Sequence, residues 1–113
     1  MTPEENLFIA KKLGWRRKRL ECSITGNEVV WYDSRGVAHP EPLCLGRVDT
    51  SMALVEEMRT LGWKVQIGNW LEDSGDTYFV NFHRPGGVGY ASARALPTAL
   101  LDSIFFALGG IRE

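Results

Sequence analysis

"VEEMRTLGWKVQI", residues 55–67, changes its hydrophobic period halfway along. Up to Gly62, the residues Leu54, Val55, Met58 and Leu61 recur at i, i+1, i+4 and i+7, the apolar face of an amphipathic helix. Beyond it, Trp63, Val65 and Ile67 alternate with Lys64, Gln66 and Gly68, the pattern of a strand with one buried face. The junction predicts a helix stop. Gly62 takes the left-handed conformation, and Trp63 folds back near Met58 as the apolar partner of a Schellman-type cap. Asp49, Thr50 or Ser51 is the expected N-cap of this helix.

The same triplet occurs earlier in "FIAKKLGWRRKRL", residues 8–20. There Leu13-Gly14-Trp15 closes a helix that Thr2, Pro3, Glu4 and Glu5 open: a cap, a first-turn proline and two acids that suit the helix dipole. Leu7 and Phe8 are its apolar part, and Lys11 and Lys12 its basic part. The flanks of the two triplets do not otherwise align. The triplet is therefore punctuation and not the mark of a duplicated domain.

Working outward, Asn69–Asp76 reads as a turn region and Thr77–His83 as a second strand. Arg84-Pro85-Gly86-Gly87 is a tight connection. Val88–Ala95 is a third strand, whose alanines suit a closely packed helix. Pro97 opens a last helix, Thr98–Leu108, which Gly109-Gly110 closes. Upstream, Leu20, Cys22 and Ile24 alternate with polar residues, Gly26-Asn27 is a hairpin turn pair, and Val29–Tyr32 is the partner strand. Asp33–Gly36 is another turn, and His39–Pro42 an extended linker. The expected fold is an α+β sandwich: a helix–three antiparallel strands–helix core, with an N-terminal helix and hairpin packed around it.

At 113 residues, with 44% hydrophobic and 24% charged residues, the chain is expected to be a single domain over 1–113. Within it, 1–48 is the N-terminal segment and 49–113 the core. The net charge of −1 disfavours a general nucleic-acid or membrane-surface binder. No apolar run reaches the length of a membrane span, and the N-terminus does not read as a signal peptide. A cytoplasmic setting with Cys22 and Cys44 as free thiols is the expectation.

The order and spacing of several motifs resemble the phage ABA sandwich family of small proteins. They are Leu13-Gly14-Trp15 ending the first helix, the Trp31-Tyr32-Asp33 turn, and Asp49-Thr50-Ser51-Met52 leading to Leu61-Gly62-Trp63. Phe79-Val80-Asn81-Phe82 and Ala91–Leu96 before the last helix complete the set. In this chain Leu45-Gly46-Arg47-Val48 stands where the family has a Pro-aromatic approach to the second helix. The resemblance implies a phage or prophage gene and an α/β sandwich, and no enzyme activity.

Function is expected to lie in binding, with neither cofactor nor metal. His39, Cys22 and Cys44 lack paired metal-ligand spacing. Gly86-Gly87-Val88-Gly89 precedes a strand, whereas a phosphate cradle precedes a helix. On the sheet face opposite Val65, Ile67, Val80 and Phe82, the residues Gln66, Asn81, His83, Tyr90 and Arg94 are the candidate ligand or partner contacts. A host protein or a small anionic ligand, such as a signalling nucleotide, is the expected partner, and the expected role is interference with host defence. Trp15, Arg16, Arg17, Lys18 and Arg19 are the candidate contacts for the alternative, a nucleic-acid-associated module. A small hydrolase is the other alternative. Phe105 and Phe106 on the largely apolar last helix are the candidate interface of a homodimer.

Overall fold

The computed structural model describes residues 2–22, 26–41, 43–73 and 75–112, with the backbone alone at 22, 26, 27, 48 and 49. The elements are α1 (Pro3–Lys12), β1 (Arg16–Cys22), β2 (Gly26–Tyr32), β3 (Ala38–Pro40), α2 (Val48–Thr60), β4 (Lys64–Glu72), β5 (Gly75–Arg84), β6 (Gly87–Ala93) and α3 (Leu96–Ala107). They make an α+β fold with two three-stranded antiparallel sheets, β1-β2-β3 and β4-β5-β6. The chain forms two compact units, Thr2–Cys44 and Leu45–Glu113. The second contains the helix–three strands–helix core that the sequence predicts. Among the described residues no helix is long and apolar enough to cross a membrane.

In the first unit, Thr2 and Glu5 form a capping box. The Thr2 hydroxyl accepts the Glu5 N–H at 3.2 Å, and the Thr2 N–H donates to Glu5 Oε1 at 3.0 Å. The buried residues of α1 are Asn6, Ile9 and Ala10, so the helix turns a different stripe inward from the expected Leu7 and Phe8. Phe8 instead lies under the Lys12 ammonium, 5.6 Å from its ring centre. β1 and β2 pair from Arg16↔Tyr32 to Cys22↔Gly26. Gly26 and Asn27, expected as the hairpin turn, are thus in the strand, and residues 23–25 lie outside the described residues. The segment expected as a linker supplies a short edge strand. Ala38, His39 and Pro40 pair with Tyr32, Trp31 and Val30, and an edge is where a sheet tolerates proline.

In the second unit, α2 starts at Val48 with Arg47 as N-cap and no side-chain cap bond. Asp49, Thr50 and Ser51 are therefore inside the first turn and not before it. β4 and β5 extend through the expected turn region. Their register runs from Lys64↔His83 to Glu72↔Gly75, so residues 69–72 and 75–76, expected as turn, are strand. The long alternation continues through Asn69, Trp70, Leu71 and Glu72, and this outweighs the turn propensity of an asparagine. Pro85 and Gly86 alone turn the chain into β6, with Gly86 at φ +82°; this is a hairpin. Helix α3 lies against β5 and β6, and α2 packs beside α3 and reaches β4. Val80, Phe82, Leu54, Met58, Leu100 and Ile104 are fully buried between these layers. Ile67, on the same face but in edge strand β4, is 42% exposed, a correction to its expected burial.

The three helices among the described residues end alike. Trp15 N–H donates to the Ala10 carbonyl and Gly14 N–H to that of Lys11. Trp63 repeats this with Met58, and Gly62 with Arg59. Gly110 repeats it with Phe105, and Gly109 with Phe106. Each is the paired bond pattern of a Schellman cap. The glycines Gly14, Gly62 and Gly109 have φ of +80°, +92° and +95°. A Cβ built on Gly62 meets nothing within 4 Å, so only backbone conformation opposes a side chain there. Gly62→Ala is expected to lower unfolding stability by about 1–2 kcal/mol in urea titration. A loss of a few tenths would contradict the left-handed assignment.

Candidate binding face

Strand alternation divides the β4–β6 sheet into two faces. Val65, Phe82 and Gly89 form one cross-strand row, and Ile67, Val80 and Ala91 the next; these face the helices. The opposite face carries the row Lys64, His83, Val88, then Gln66, Asn81, Tyr90, then Gly68, Phe79, Ser92. This second face is open. Tyr90 is 53% exposed and Val88 64%, and Lys64, Gln66 and His83 are also exposed.

The structure therefore brings Gln66, Asn81 and Tyr90 side by side, as the sequence predicts. His83 is one row away, against Lys64. Arg94 lies toward the far end of the sheet, where its charge acts on Glu72. Asn81 Oδ1 is covered and meets no donor among the described residues, an unsatisfied acceptor at the centre of the face. Lys64 falls on this face by the same alternation that places Gln66 there; one participant escapes the sequence reading. Trp70 falls in the supposed turn, although it shares the parity of Gln66, and continuing the alternation would have found it. Its ring lies 5.1 Å from that of Phe79, which in turn covers Gly68. The Trp70 indole donates to Glu72 Oε1 at 2.7 Å. That bond, one from Thr77 and the nearby Arg94 charge hold the Glu72 carboxyl below its ordinary range, against a smaller opposing effect of burial.

The basic run behaves differently from a continuous footprint. Arg16–Arg19 lie in β1, so Arg16 and Lys18 point to one face of the first sheet and Arg17 and Arg19 to the other. All four are exposed. Arg17 is engaged by Glu41, with Nε 2.7 Å from Oε1 and Nη2 3.4 Å from Oε2. Glu41 Oε1 also accepts the indole N–H of buried Trp31 at 2.7 Å. The Arg17 and Trp31 bonds, with some help from the Arg17 charge, lower the Glu41 carboxyl despite the opposing effect of burial. Trp15, expected beside the basic run as a stacking platform, is only 6% exposed, and its ring stacks on His39 at 4.7 Å.

His39 is in turn bonded through Nε2 to Asp33 Oδ2 at 2.9 Å. Asp33 also accepts the N–H groups of Arg35 and Val37 on Oδ1, at 2.9 and 3.0 Å. This carboxylate–imidazole pair ties the 33–37 turn to β3 and seats Trp15. Cys44 is a free, exposed thiol, and the side chain of Cys22 lies outside the described residues. Among the described residues no three of His, Cys, Asp and Glu gather as a metal-binding group.

The candidate dimer patch is largely internal. Phe105 is 4% exposed, and Phe106 is half-buried, edge-on to it at 5.5 Å. The Arg112 guanidinium lies over both rings, at 5.2 and 5.4 Å, and is anchored to Asp102 at 2.7 Å. The bare aromatic pair that motivates an interface through α3 is thus covered by the chain's own C-terminal arginine. Compared with protein families, with curated proteins and with solved structures, the chain matches none.

Proposed function

We propose that this chain is a non-enzymatic phage or prophage binding protein that takes a small nucleotide on the open face of β4–β6, and so interferes with a host defence signal. The phage setting comes from the residue resemblance described above, and the ligand class from the face itself. One observation carries the ligand: an exposed aromatic, Tyr90, in the row next to two exposed basic residues, Lys64 and His83. Adjacent same-face rows are separated by two residues, about 6–7 Å along a strand. That spacing suits a base stacked on Tyr90 with its phosphate between Lys64 and His83. The Gln66 and Asn81 amides in the Tyr90 row supply donors and acceptors for a base edge. Turning the Asn81 amide outward gives its unsatisfied oxygen a partner. A host protein is the other occupant to weigh for this face; the Lys64 ammonium and the His83 imidazole beside an aromatic favour the nucleotide.

Calorimetric titration with mononucleotides and cyclic dinucleotides tests this reading. Stacking on an aromatic contributes about 1–3 kcal/mol per base, so Tyr90→Ala is expected to weaken binding about tenfold or more. Lys64→Ala is expected to weaken it further and to reduce its salt dependence. Binding that both variants leave unchanged, or no nucleotide binding at all, overturns the proposal.

A further inference from the structure

Strand β4 is an edge strand: β5 is its only neighbour among the described residues. It is nine residues long, and only Val65 and Gly68 are even half-buried. Ile67 and Trp70 are each 42% exposed and Leu71 is 79% exposed. Residues 65–71 carry no charge and no proline, so the usual protections of an edge are missing over its whole middle.

The strand is also self-complementary. Reflected about Gly68 in an antiparallel pair, Lys64 meets Glu72 of a second copy, Val65 meets Leu71, Gln66 meets Trp70 and Ile67 meets Asn69. Two-fold symmetry makes each pairing occur twice. Shifting the centre by one residue loses the opposite charges: about residue 67, Lys64 faces Trp70, and about residue 69, Glu72 faces Gln66. Glu72 is held in place by its 2.7 Å bond from Trp70.

We infer that β4 is an interaction edge for a second copy of this chain, pairing antiparallel about Gly68 to join the two β4–β6 sheets into one of six strands. Exposed ion pairs add little affinity, but they select register. The affinity comes from the backbone ladder and from covering Val65, Ile67 and Leu71. The edge, and not the last helix, is then the dimer surface. The open faces of the two copies become continuous, with Trp70 of each placed beside Gln66 of the other. The inference stands whether or not that face binds a nucleotide.

Sedimentation equilibrium without ligand tests it. The wild type should sediment at twice the 12.7 kDa chain mass. Lys64→Glu and Glu72→Lys each create two like-charge pairs and should weaken the dimer about tenfold, a free-energy change of about 1.4 kcal/mol. The double swap, Lys64→Glu with Glu72→Lys, should restore it. Leu71→Lys, at a side chain too exposed to disturb the fold, should give a monomer whose circular dichroism is unchanged. A wild type that stays monomeric at high concentration overturns the inference. So does a dimer indifferent to all four variants, which would place the contact elsewhere.

Discussion

Gly89→Ala should destabilise the protein by about 3 kcal/mol or more, the upper end of what overpacking costs. Gly89 is the third of the seven residues of β6, on the face that α3 covers. A Cβ built there lies 2.3 Å from the Ser103 carbonyl oxygen, 2.4 Å from the Ala107 nitrogen and 2.5 Å from the Ala107 Cβ. Two of the three are helix backbone, so no rotamer change relieves the contact. Ordinary van der Waals contact begins near 3.4 Å, so α3 would have to withdraw by about 1 Å. That movement loosens Ser103 and Ile104, both fully buried, and the packing of Leu100 and Phe105 beside them. The origin differs from that at Gly62, where space is free and only backbone conformation resists. Urea unfolding separates the two: Gly89→Ala should reduce the midpoint at least as much as Gly62→Ala, and Gly89→Val more still. A Gly89→Ala protein within 1 kcal/mol of wild type would show that the α3–β6 approach is looser than these distances.

The same glycine marks a limit of reading the chain. Period and punctuation carry the architecture well. The change of period at Gly62, the Leu61-Gly62-Trp63 stop and the apolar run after Pro97 give the helix–three strands–helix order of the second unit. A strand's hydrophobic alternation says which residues face inward, but not how near the covering helix comes. The alanines of β6 suggest close packing, yet Gly89, where a Cβ would meet α3 backbone at 2.3 Å, reads equally well as part of a glycine-rich turn. Edge strands are harder still. His39-Pro40 resembles a linker because proline excludes a central strand, and it is tolerated because β3 is an edge. Ile67 reads as a core residue because period cannot tell an edge from a centre. The open face is partly legible, since Gln66, Asn81 and Tyr90 share parity and fall into one row. Trp70 escapes because local turn propensity near Asn69 competes with the alternation. Covering contacts that bridge two elements leave no signal in the period of either: Arg112 over Phe105 and Phe106, or Glu41 on Trp31.

Asp33 holds together the turn it opens, with partners two to six residues away, and Asp33→Ala should cost about 3 kcal/mol. Its carboxylate, 2% exposed, accepts from the Arg35 and Val37 N–H groups and from His39, and pairs with Arg35 Nη2 at 3.3 Å. Each hydrogen bond to a side chain or backbone group contributes about 1 kcal/mol net. The ion pair with Arg35, whose side chain is 56% exposed, adds little. Burial by itself pushes the Asp33 carboxyl up. The bonds from His39, Val37 and Arg35 together outweigh it and hold the group below its ordinary range. The sign follows. A carboxyl bound more tightly as the anion in the folded state contributes stability above its unfolded value, near pH 4, and loses it as acid protonates the folded form. The stability gap between wild type and Asp33→Ala should therefore be full at pH 7 and narrow as the pH falls below about 4. Glu41 and Glu72 are also lowered, but they are present in both proteins and cancel in the difference. Asp33→Asn refines the attribution. It keeps an acceptor for the two backbone N–H groups and loses the charge, so its cost at pH 7 should be smaller than that of Asp33→Ala, and the gap between the two variants, neither of which titrates at residue 33, should not change with acid. A gap between wild type and Asp33→Ala that is constant from pH 7 to pH 3 would mean that packing of the side chain, and not its ionised form, is what stabilises the turn.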